Sequence, residues 1–198
     1  MNAQQNFLQA VLDDIDLFNQ QDPNIQLDEQ GDSLPKELLY GQRMSAMLEQ
    51  FGGDELALQI AARAQHIGRW LSPRSDYPEG KKGYLQWRKD LGSKHAQLCC
   101  EILDKHGADG ELQQQVTKLL TKQGIKRDPL VQALEDVICL VFLRYYFEEF
   151  AAKHDDDKVV DIVRKTWAKM SERGQQHALT LPLSESSLAL VQKALNIS

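Results

Sequence analysis

Two histidines and an acidic pair are the residues of this chain best suited to chemistry. Glu135 and Asp136 sit inside Ala133-Leu134-Glu135-Asp136-Val137-Ile138-Cys139-Leu140-Val141-Phe142-Leu143, its most apolar stretch. A buried carboxylate needs a cation, hydrogen bonds or a metal, because leaving it ionised and uncompensated is costly. His66 and His95 lie in helical text upstream, so His66, His95 and Asp136 form a candidate ligand set for one divalent metal ion, drawn from three helices. An ion held this way polarises a phosphate and lowers the pKa of bound water. Neighbouring residues of a helix point about 100° apart, so one acid serves the site, Asp136, with Glu135 as the alternative. The competing reading is structural: a core histidine, and an Asp136 ion pair with Arg63, Arg69 or a later basic residue.

Cations and aromatics surround the histidines in sequence. Arg63 and Arg69 stand three residues either side of His66, with Trp70 four beyond it. Arg74, Tyr77, Tyr84, Trp87 and Arg88 cluster around a proline-rich link. Arginine forks onto phosphate and carboxylate while aromatic rings stack on bases, so the group suits a small phosphorylated ligand such as a nucleotide. A loop pinned by Tyr and Trp would use the same residues structurally.

The elements that must position these groups read as helices throughout. The periodicity predicts an all-α domain over residues 1–198, a bundle of about seven to eight helices. The first helix, Gln5 to Asn19, places Phe7, Val11, Ile15 and Phe18 on one stripe. A second follows Leu34-Pro35 to Phe51, and a third runs from Glu55 to Leu71, with His66 inside it. The link Ser72 to Gly80 holds two prolines and is read as a structured loop. Further helices are expected at Gly83 to Lys105, Glu111 to Lys122, Asp128-Pro129 to Lys153, Lys158 to Met170 and Glu185 to Asn196.

Composition narrows the function. A net charge of −6 argues against broad binding to a nucleic-acid backbone. The three cysteines, Cys99, Cys100 and Cys139, lie in apolar helical text without a CxxC pair, as reduced core residues do. The N-terminal text has no signal-like apolar region, and no stretch reaches the roughly 18 apolar residues of a membrane span, so a cytoplasmic location is expected. The sequence leaves the oligomeric state open.

Two strings, His66-Ile67-Gly68-Arg69 and Lys169-Met170-Ser171-Glu172-Arg173, resemble the HIGH and KMSKS signatures of class I aminoacyl-tRNA synthetases. Those signatures work within a parallel αβ nucleotide fold, and no strand precedes His66 here. From about residue 34 to 153, the order of signals resembles the HD superfamily of helical metal-dependent phosphohydrolases. Tyr40-Gly41-Gln42-Arg43-Met44 stands where that family opens a helix with a ligand histidine, Ala61-Ala62-Arg63-Ala64-Gln65-His66-Ile67-Gly68 where it has His-Asp, and Leu134-Glu135-Asp136 where it has its last Asp. The resemblance implies an HD-like core with the N-terminal and C-terminal helices packed on it. It implies Tyr40 and Gln65 as supporting or alternative ligands, and sets Lys122 where a further histidine is usual. Arg63, Arg69, Arg74, Arg88 and Lys122 are then the anion-binding candidates, and Trp70, Tyr77, Tyr84 and Trp87 an aromatic pocket. A divergent phosphohydrolase, a non-catalytic anion-binding module and a partner-binding helical protein all remain open. The whole chain also resembles a domain-of-unknown-function family sometimes labelled glutamyl-tRNA-synthetase-related.

Overall fold

Capping chemistry sets most helix starts. In the computed structural model, which describes residues 2–196, α1 (Ala3–Asn19) begins with a reciprocal capping box between Asn2 and Gln5. Asp109 caps α5 (Gly110–Leu120), and Asp128 with Pro129 at the first position starts α6 (Pro129–Val141). Asp155 caps α8 (Asp156–Lys169), Ser171 caps α9 (Glu172–Ala178) and Ser184 caps α10 (Glu185–Leu195). The remaining helices are α2 (Lys36–Phe51), α3 (Leu56–Arg63), α4 (Gly80–Lys105) and α7 (Phe147–Ala152). The all-α expectation holds, apart from a short antiparallel hairpin of β1 (Ile25–Leu27) and β2 (Ser33–Pro35) between α1 and α2.

The chain divides into two compact units, the first ending at Gln123 and the second starting at Gly124. In the first, α4 packs on α5, α3 packs on α2 and α5, and α1 lies against α2, α3 and α4. Its core includes Val11, Ile15, Met44, Leu58, Ile60, Ile67, Leu103 and Leu119. Gly92 lies within α4, and a Cβ there would meet the Leu120 carbonyl at 3.1 Å, so its missing side chain permits the close approach of α5. In the second unit α6 packs on α8 and α9, and α8 packs on α10 and α7. A five-residue π-helical turn, Phe142–Tyr146, joins α6 to α7, where a continuous helix was expected.

The third helix is shorter than its sequence suggests. It ends at Arg63, and the chain turns through Ala64 to Gly68 before a 3₁₀ turn at Arg69–Leu71. Gly68 takes φ 63°, and a Cβ there would approach a Leu98 methyl to 2.6 Å, so the turn requires glycine on both counts. His66 therefore lies in a turn rather than mid-helix.

Among the described residues no helix is long and apolar enough to cross a membrane.

Candidate functional site

The turn after α3 is fastened by two side chains from distant parts of the first unit, Asn19 and His95. Buried Asn19 accepts from the Gly68 amide at 3.2 Å and donates to the Glu37 carbonyl at 3.4 Å, tying the turn to the start of α2. Asp22 accepts from the Glu37 amide at 3.0 Å, satisfying one of the donors left open at a helix start. His95, from α4, donates from Nδ1 to the Ile67 carbonyl at 2.7 Å. These bonds hold Gln65 and His66 between α2 and α4.

His66 is bonded on both ring nitrogens. Its Nδ1 lies 3.0 Å from Glu37 Oε2, and Arg69 Nη1 lies 2.8 Å from its Nε2 and 3.4 Å from its Nδ1. Tyr40 stacks on the imidazole with ring centres 3.8 Å apart and an interplanar angle of 12°. Arg69 is itself held, with its Nε 3.9 Å from Glu37 Oε1 and its guanidinium 5.2 Å from the Trp87 ring centre.

Electrostatics keep both histidines neutral. Burial lowers the His66 pKa well below its ordinary value, and the positive charges of Arg69, Arg88, Lys122 and Lys36 lower it further. Burial, with His66 next in weight, takes His95 down to about 3. Glu37 is pushed up by burial, and the charges of Arg69, Lys36 and His95 oppose that rise.

Beside these residues the first unit has a cavity of about 470 Å³, within the usual range for small-molecule sites. Gln65, His66, Arg69, Arg88, His95 and Lys122 line it, as does Lys89, which sequence reasoning had not singled out; no carboxylate does. Lys122 follows α5 in the left-handed conformation, φ 55°, a position that favours glycine. Gln65 is 5 % exposed, and its Oε1 has no hydrogen-bond partner.

The expected site residues fall in both units, two histidines in the first and the acidic pair in the second. His66 and His95 are neighbours, with ring centres 6.0 Å apart. Asp136 is engaged elsewhere: its carboxylate accepts from the Ser171 amide at 2.7 Å, from the Ser171 hydroxyl and from Gln132 Nε2 at 2.9 Å. It anchors the start of α9, and a Cβ on Gly174 would lie 2.7 Å from its Cγ. Glu135 has Lys169 Nζ at 3.9 Å. Among the described residues no three His, Cys, Asp or Glu side chains form a group that could hold a metal.

Most of the other anion and aromatic candidates have partners outside this cavity. Arg63 grips Asp16 through two contacts of 2.8 and 2.9 Å and donates to Ser45. Arg74 donates to the carbonyls of Tyr77 and Pro78, clamping the proline-rich link, and Trp87 donates to the Ser72 carbonyl. Trp70 packs on Phe18, and Tyr84 on Trp87. None of Trp70, Tyr77, Tyr84 and Trp87 lines the cavity.

Sequence reasoning missed Glu37. Its signal was an acid in the first turn of α2, which reads equally well as an ordinary helix-dipole partner.

Fold and site together define an all-α protein with a cationic, histidine-lined cavity in its N-terminal unit. The chain belongs to the family described as a domain of unknown function (DUF4202), which is matched over residues 9–191. No curated protein and no solved structure matches it. The HD resemblance rests on the sequence motifs alone.

Proposed function

We propose that the cavity of the N-terminal unit binds a small phosphorylated ligand. The observation behind this reading is the lining: Arg69, Arg88, Lys89 and Lys122 face one hollow with no carboxylate among the lining residues, in a chain of net charge −6. Like charges gathered against the overall sign of a protein focus a field that attracts an anion. The cavity volume suits a ligand the size of a sugar phosphate or mononucleotide. The Glu37, His66 and Arg69 chain fixes the floor of the site, and Tyr40 stacking holds the imidazole plane.

Metal-assisted hydrolysis, which the HD resemblance implies, relied on the Asp136 carboxylate. That group is committed to Ser171 and Gln132, so binding is the reading advanced.

The test is thermal stabilisation by phosphate esters at fixed ionic strength, set against the corresponding neutral sugars. Saturation at 100 times Kd stabilises a fold by about 2.7 kcal/mol, a readily measured shift. A rise with the phosphorylated compounds alone, diminished in Arg88→Ala, is expected. Equal melting curves with and without phosphate esters would discard the reading.

A further inference from the structure

His95 presents one polar atom to the cavity, and the rest of the ring sets the state of that atom. The imidazole lines the hollow and is otherwise buried, 3 % exposed. Its Nδ1 lies 2.7 Å from the Ile67 carbonyl, which can only accept, so Nδ1 carries the hydrogen. Among the described residues Nε2 has no hydrogen-bond partner, yet it is not sealed in: the buried side-chain polar atoms without a partner are Gln26 Oε1 and Gln65 Oε1. Nε2 therefore opens onto the cavity that the ring lines. The charged and titratable groups around it are Glu37 from α2, His66 and Arg69 from the turn after α3, Arg88 and Lys89 from its own helix, and Lys122 after α5. Burial, then His66 and Arg69, outweigh the opposing Ile67 bond and Glu37 and hold its pKa at about 3, so the unliganded ring is neutral and Nε2 is a bare lone pair.

A lone pair set against an anion is repulsive unless a proton lies between them. A phosphomonoester has its second ionisation at about pH 6, so it can bring that proton as a P–OH that donates to Nε2. The alternative arrangement, a dianion facing an imidazolium that donates from Nε2, contains the same atoms and differs only in where the shared proton sits. Either way one proton is taken up whenever the ester is a dianion in solution. Sulfate esters and phosphodiesters are monoanions with no proton to bring. We infer that His95 is the specificity-determining residue of the cavity: its Nε2 and the bound phosphomonoester share one proton, so the site selects phosphomonoesters over sulfate esters and phosphodiesters. This rests on the phosphate reading above and narrows it.

The experiment is calorimetric titration of the full chain with methyl phosphate and methyl sulfate at fixed ionic strength, on wild type and His95→Asn, in two buffers of different ionisation enthalpy. At about pH 5.5, below the second ionisation of the phosphate ester, the two ligands match in shape and charge and differ by the proton. Methyl phosphate is expected to bind at least about tenfold tighter there, the scale of one charge-assisted hydrogen bond. At about pH 7.5 the buffer comparison should show uptake of about one proton per methyl phosphate, and its affinity should fall by about tenfold per pH unit from there upward, the limit for one linked proton. His95→Asn keeps an N–H for Ile67 and does not titrate, so both the uptake and the preference should vanish in it. Where that variant fails to fold, the wild-type proton count and the methyl sulfate comparison decide by themselves. Binding of methyl phosphate without proton uptake, methyl sulfate bound as tightly as methyl phosphate, or uptake that persists in folded His95→Asn would overturn the inference and leave the phosphate reading standing. Absence of binding by methyl phosphate at either pH would remove both.

Discussion

Tyr40 lies flat against His66, ring centres 3.8 Å apart, so one face of the imidazole is covered while its two nitrogens are bonded to Glu37 and Arg69. A ring held on its face and at both nitrogens has little freedom to turn. The residue that the HD resemblance set in a ligand position is thus a packing partner of the histidine. Offset or stacked ring pairs contribute about 0.5–1.5 kcal/mol beyond their buried area. The same contacts make His66 a fixed, neutral wall of a cationic cavity.

Stability should fall with acid through the two histidines. Both have folded-state pKa values depressed below 6.5, His95 to about 3. Their contribution is present above the unfolded value and is lost as pH falls through the folded one, because below about pH 6.5 the unfolded chain takes up protons that the native state refuses. Glu37 has a raised pKa, so its contribution runs the other way: present below its unfolded value of 4.5 and lost as pH rises through the raised one. Urea midpoints measured from pH 7 to 4 should decline, and His95→Asn should flatten the decline. Each unit of separation between folded and unfolded pKa is worth about 1.4 kcal/mol. An unchanged slope in His95→Asn would contradict the assignment.

Lys122 occupies a left-handed position that suits glycine, at φ 55°. Lys122→Gly should therefore stabilise the free protein by about 1 kcal/mol, since a side chain in that region is strained. It should also lose phosphate affinity, because a lining cation is removed. Paired denaturation and titration would show opposite signs. Loss of stability with affinity unchanged would mean that Lys122 serves the fold rather than the ligand.

Arg88 is exposed and lines the cavity. Arg88→Ala should change unfolding free energy by no more than about 0.5 kcal/mol, as surface substitutions usually do. Affinity for phosphate esters should drop, and its salt dependence should become shallower. Titrations at two ionic strengths measure both effects.

Asp136 should prove structural. It is 1 % exposed and receives hydrogen bonds from Ser171 and Gln132, so Asp136→Ala leaves the start of α9 without its anchor. A cost of about 2–4 kcal/mol is expected from loss of charge-assisted bonds at a buried site. Phosphate affinity of the folded variant should match wild type. A specific loss of affinity without loss of stability would return Asp136 to the site.

Local text determined most of the helices. Asp128-Pro129 and the Val11 and Ile15 stripe need only near neighbours, since capping and amphipathic burial are set within a few residues. The sequence also marked His66 and His95 as residues of one site, and their rings are neighbours. The partner of Asp136 was another matter: an acid in apolar text must be compensated, but nothing nearby says by what, and Ser171 lies 35 residues on. The turn that positions His66 was hidden for the same reason. Ala61-Ala62-Arg63-Ala64-Gln65 favours helix by propensity, and Asn19, from 49 residues before Gly68, together with His95, from 28 residues after Ile67, supplies the bonds that hold the turn instead. Glu37 meets His66 across 29 residues. Helices follow from local energetics; the choice of which buried polar groups face one another belongs to tertiary packing, because each such group takes whatever compensating partner the folded chain brings within reach.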